Sequence, residues 1–187
     1  MINACRLHVV VGFLSMLIGA NIAHADERIL QFMEDGWTHA LMRQVGDDVS
    51  EEALGMGRAD CVDKRALDRR QRILARRLGQ ILERSGIHID LIATSAWCRA
   101  IETARTLELR PVTVEPLLNS AAPDDIDAAE RVLELLDIMR RSETALLVTH
   151  AGNIKALTGR DSKPGEIIVV RVRPGEDLEV VGAYTPE

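Results

Sequence analysis

Three side chains in this sequence have the types and spacing to hold an oxyanion: Arg43, Arg99 and His150. Each sits just past an apolar run of strand character. Two guanidinium forks suit the oxygens of a phosphate group. An imidazole adds a third donor and can carry charge near neutral pH. The competing assignment pairs Arg43 and Arg99 with carboxylates such as Glu102, and residue types alone weigh the two evenly.

The elements around these residues decide whether they can meet. Thr38 to Arg43 reads as a first strand, after a short lead-in from Asp26 to Asp35. Val45 to Lys64 has no clear period and reads as a long surface loop, a kind that is usually functional. Asp68 and Gln71 have capping-box spacing and open a helix. Its apolar stripe is Ile73, Leu74, Leu78, Ile81 and Leu82. Its arginine-rich face (Arg69, Arg70, Arg72, Arg76, Arg77) reads as solvated. Ile89 to Thr94 is a continuous apolar run, expected of a buried parallel strand. Ser95 is a candidate cap for a helix over 97–107, which puts Arg99 in its first turn, where free backbone N–H groups favour an anion.

Pro111 to Glu115 reads as a third strand, and Pro123 opens a long helix that turns Ile126, Ala129, Val132, Leu133, Leu136 and Met139 inward. Ala145 to Val148 is a fourth strand that delivers His150 to its end, followed by a short helix through Leu157. Ile167 to Val172 and Leu178 to Val181, joined at Pro174 and Gly175, form an edge hairpin. Strands alternating with helices predict a single α/β domain with a mainly parallel sheet. Such sheets gather their strand ends, and their ligands, on one side.

Composition narrows the functional classes. The chain has 187 residues, a net charge of -6 and 3% aromatics. That balance argues against a nucleic-acid partner and against binding to anionic membranes. Residues 1–25 read as a signal peptide: Arg6, an apolar stretch from Val9 to Ala20, then Ala23-His24-Ala25 as a small-x-small cleavage site. The stretch is short for a membrane span, which needs about 20 residues; an uncleaved anchor is the alternative. Cleavage before Asp26 leaves residues 26–187 as one exported domain, most simply periplasmic, with no membrane span. Cys61 and Cys98 then remain in an oxidising compartment, which favours a disulfide over a pair of buried thiols. His39, His88 and His150 are too few and too scattered for a histidine-rich metal site.

Two stretches carry a family resemblance. Ser95-Ala-Trp-Cys-Arg-Ala-Ile-Glu-Thr-Ala-Arg105 and Leu147-Val-Thr-His-Ala-Gly-Asn-Ile154 resemble the second-arginine and second-histidine motifs of the histidine phosphatase superfamily. Leu41-Met-Arg-Gln44 aligns with its first motif, and Asp60 to Asp68 with the segment before its first helix. The resemblance spans Trp37 to Ala183. It implies a three-layer α/β/α, phosphoglycerate mutase-like fold, no metal and no cofactor. It implies that Arg43, Arg99 and His150 hold a phosphoryl group and that a histidine after the first arginine attacks phosphorus.

Here that position holds Gln44. A carboxamide nitrogen has its lone pair delocalised into the carbonyl, so it is not a useful nucleophile. It still donates a hydrogen bond. His39 does not replace the missing imidazole, because it lies about 13 Å away along the same strand. His88 precedes the second strand, at the opposite end of the sheet. Glu115 is the nearest carboxylate for protonating a leaving group, and Glu51 and Glu52 are weaker choices. Asn119 and Asn153 are further pocket candidates.

Three functions follow. The first is an exported phosphate-binding protein without covalent turnover, retaining at most ~10³–10⁴-fold catalysis over water. The second is a phosphomonoesterase that uses water as nucleophile. The third is a structural or partner-binding protein with no working pocket. The expected partner is a phosphorylated small molecule, a glycolipid or a phosphoprotein.

Overall fold

The computed structural model describes residues 28–34, 37–46, 66–120, 134–135, 137–139 and 144–186. The expected signal segment, the long loop with Glu51, Glu52 and Cys61, and the start of the helix from Pro123 lie outside these residues. Among the described residues six strands form one sheet: β1 (Thr38–Arg43), β2 (Leu91–Thr94), β3 (Val112–Val114), β4 (Ala145–Thr149), β5 (Ile167–Arg171) and β6 (Glu179–Tyr184), in the order β3-β2-β4-β1-β5-β6. The first four are parallel to one another; β5 is antiparallel to β1, and β6 to β5. The mainly parallel sheet with a C-terminal edge hairpin is therefore as the sequence predicts.

Side chains alternate between the two faces, as a pleated strand requires. Ala40, Met42, Leu146 and Val148 face one core, which α1 (Arg69–Arg84) and α2 (Cys98–Thr106) cover with Leu78, Leu82, Ala100 and Ala104. Leu41, Ala145 and Leu147 face the other, covered by Leu135, Met139 and Ile154. Leu135 and Met139 lie in helical segments, and Ile154 lies in α3 (Ala151–Thr158). The result is three layers, α/β/α. The lead-in before β1 is a 3-10 helix, Ile29–Glu34, whose Leu30 and Met33 are fully buried.

Local chemistry explains two of the helix boundaries. Asp68 accepts from Gln71 N, and Gln71 Oε1 accepts from Asp68 N, both at 2.8 Å, so the capping box is complete. Gly159 ends α3 in the left-handed conformation, φ 72°, that glycine adopts without steric cost.

Several expectations need correction. Ile73 is 54% exposed rather than part of the α1 stripe; Ala75 and Gly79 complete the buried face instead. Gly79 lets α1 approach α2 so closely that a Cβ there would meet Leu107 O at 2.0 Å. Arg72 leaves the solvated face, because its guanidinium pairs with Glu102 at 3.2 Å and donates to Leu67 O. β2 starts at Leu91 rather than Ile89, because Asp90 N bonds to Thr144 O before the ladder begins. β6 runs on to Tyr184, with a bulge opposite Val169 and Val170. Trp97, not Ser95, occupies the cap position of α2, and it makes no side-chain capping bond.

Candidate functional site

The C-terminal ends of β1, β2 and β4 bring the expected residues together. Register pairs Arg43 with Thr149 and Thr94 with Val148, so the chain emerges from three neighbouring strands at one level. Arg43 is the last residue of β1, His150 follows β4, and Arg99 is the second residue of α2. Arg99 and His150 are each 3% exposed, and Arg43 is half-buried.

Each arginine is held by its surroundings. Arg43 N donates to Glu166 O and Gly165 N donates to Arg43 O, while the Arg43 guanidinium donates to Ser162 O. The 162–166 turn thus grips Arg43 by backbone and side chain. Glu166 braces that turn: its carboxylate accepts from Lys163 N at 2.7 Å and pairs with Arg160 at 3.1 Å. Gly46, on the loop leaving β1, lies against the Arg99 stem, where a Cβ would stand 2.7 Å from Cδ. Val45 N donates to Thr103 Oγ1, tying the same loop to α2. Glu102 pairs with Arg72 and accepts from Leu67 N, so it is turned to the α1 start.

His150 shares a 2.8 Å hydrogen bond from Nε2 with Ser95 Oγ. The Trp97 ring lies over it, with centroids 4.3 Å apart at 57°. Burial, then Arg99 and Arg43, lower its pKa from 6.5 to about 3. The imidazole is therefore neutral at neutral pH, and both guanidiniums are near enough to act on it. Two cations beside a neutral ring, at the starts of two helices, form a region of concentrated positive potential. An oxyanion entering it would offset that potential and favour protonation of the ring.

The neighbouring candidates have other engagements. Asn153 Nδ2 donates to Leu118 O, Asn119 O and Thr149 Oγ1 at 2.9–3.0 Å, locking the α3 start to the turn after β3. Asn119 Oδ1 accepts from Ala96 N at 2.8 Å and so fixes the loop into α2. Glu115 caps the 3-10 turn Pro116–Leu118 by accepting from Leu117 N. His39 is fully buried in β1, with Nδ1 accepting from Ala145 N, and exposed His88 pairs with Asp90 before β2. Cys98 is buried at the first position of α2. Gln44 follows Arg43, is 0% exposed, and donates its backbone N–H to Thr149 O.

Sequence reading missed Ser95 as the imidazole's partner, Trp97 as its cover and Ser162 as the carbonyl that holds Arg43. Ser95 was open to discovery, since it lies four residues before Arg99 at a strand end. Ser162 had no local signal, because its role depends on a 119-residue separation from Arg43.

No protein-family model and no curated protein matches the chain. Solved structures do. The protein histidine phosphatase SixA, complexed with tungstate, aligns with a TM-score of 0.58 at 15% identity, over 79% of this chain and 96% of that one. A mutant phosphoserine phosphatase from Entamoeba histolytica, in complex with phosphoserine, aligns at 0.56 and 16%, over 79% and 96%. A mycobacterial glucosyl-3-phosphoglycerate phosphatase aligns at 0.57 and 17%, over 80% and 99%. The chain shares the fold of these phosphatases, the phosphoglycerate mutase-like α/β fold.

Proposed function

We propose that this chain is an exported protein that binds a phosphorylated ligand through Arg43, Arg99 and His150 and has lost covalent phosphoryl transfer. The observation that carries the reading is the convergence of two guanidiniums and a buried neutral imidazole on the end of the sheet, with a carboxamide beside them. Anion binding is what such a site does best. Turnover through a phosphohistidine needs an imidazole where Gln44 stands. The imidazole that is present, His150, makes a weak general base at a pKa of about 3. The structural neighbours are phosphatases of phosphohistidine, phosphoserine and a glucosyl phosphoglycerate, which supports a phosphorylated compound as ligand class. A small molecule, a glycolipid and a phosphoprotein all fit that class. Export and a Cys61–Cys98 bridge complete the proposal.

The test is hydrolysis of a generic aryl phosphate by the wild type, Gln44→His and His150→Ala, with phosphate binding measured beside Arg99→Ala. A silent wild type that binds phosphate, loses it with Arg99→Ala, and gains turnover with Gln44→His supports the proposal. Hydrolysis by the wild type that His150→Ala abolishes overturns it in favour of a water-based phosphomonoesterase. Absence of phosphate binding leaves only a structural role.

A further inference from the structure

Gln44 does more than fill a vacated position. Its side chain is 0% exposed, and among the described residues neither Nε2 nor Oε1 has a hydrogen-bond partner. Buried polar groups in native folds are normally paired, and an exception asks for a ligand or a function. The ladder places this one. Arg43 pairs with Thr149 in parallel β1 and β4, and Gln44 N donates to Thr149 O. The next rung therefore sets Gln44 beside His150, on the same face, with backbones about 5 Å apart at the ordinary strand spacing. That is the face α2 covers, from which Arg99 approaches.

We propose that Gln44 makes the pocket selective for an oxyanion that carries its own proton, with Nε2 donating to one phosphate oxygen and Oε1 accepting from the phosphate hydroxyl. The inference rests on the phosphate-pocket reading and deepens it. A carboxamide presents a donor and an acceptor side by side, and neither changes with pH. Hydrogen phosphate, or a phosphate monoester near its second pKa of about 6, offers the matching pair. Sulfate has the same tetrahedral shape and similar charge but no proton. It would leave Oε1 facing another acceptor, in a closed site where an unmade bond is costly. Arg43 and Arg99 present only donors, so they attract either ion and do not discriminate.

Titration calorimetry of the full chain with inorganic phosphate and with sulfate at pH 7 tests this. The expected result is phosphate bound roughly tenfold or more tightly, the equivalent of one net hydrogen bond. Gln44→Met, which keeps length and removes both polar atoms, should weaken phosphate by a similar factor and leave the two ions alike. Equal affinities in the wild type overturn the inference while leaving the phosphate pocket standing. So does a phosphate preference that survives Gln44→Met. Binding of neither ion overturns the pocket reading and this one with it. The wild-type comparison decides without the variant, should Gln44→Met not fold.

Discussion

At the residue scale, the chemistry turns on one imidazole. A free histidine takes a proton near pH 6.5, whereas folded His150 resists it until about pH 3. Below pH 6.5 the unfolded chain therefore binds a proton that the folded chain refuses. The sign follows: this residue lowers stability as pH falls from about 6.5 towards 3 and has no effect above that window. At pH 4.5 the penalty approaches about 2–3 kcal/mol, at 1.36 kcal/mol per unit. Carboxylates titrate in the same range, so the comparison must be between proteins. His150→Asn should lose less stability than wild type between pH 7 and pH 4.5 in denaturant titrations. Parallel losses would show that the imidazole is not held neutral. The same balance makes oxyanion binding favour protonation of the ring.

At the element scale, the approach of α1 to α2 sets where Arg99 can stand. α2 carries Arg99 in its first turn, and α1 packs on its far end through Gly79. The obstacle to a side chain there is backbone, Leu107 O at 2.0 Å, so no rotamer change relieves it. Gly79→Ala would ordinarily favour a helix by about 1 kcal/mol. Here it must push the helices apart, and we expect a net loss of about 1–3 kcal/mol, as for overpacked cores. A thermal midpoint at or above wild type would disprove the close contact. Phosphate affinity should fall too, because Arg99 moves with its helix.

At the scale of the whole molecule, the two ends of the described chain close one sheet. The 3-10 helix Ile29–Glu34 packs on β6, where Gly182 leaves room for Ile29: a Cβ there would lie 2.4 Å from its Cδ1. Leu30 and Met33 belong to the main core, so that core needs the lead-in. The expected cleavage before Asp26 would leave it intact. Intact mass of the protein recovered from the envelope of an expressing bacterium should correspond to a chain starting at Asp26. Without reductant it should be two hydrogens lighter, for one Cys61–Cys98 bridge. A full-length mass would reject cleavage, and a mass unchanged by reduction would reject the bridge.

Much of this was legible from local signals. Alternation and apolar runs marked the six strands. The Asp68–Gln71 box marked the start of α1, because capping is decided within four residues. Arg43, Arg99 and His150 were legible because parallel strands put their ends together whatever the loops do. By itself the sequence determined the fold class, the edge hairpin, the three convergent side chains and the absence of an imidazole at position 44. Only the tertiary structure decided that Ile73 faces solvent, that Glu102 serves Arg72, and that Ser95 holds His150. It also decided that Gln44 is buried with no side-chain hydrogen-bond partner among the described residues. These depend on which surfaces meet across long stretches of chain, and a periodic pattern records the face a residue prefers, not the neighbour it finds there.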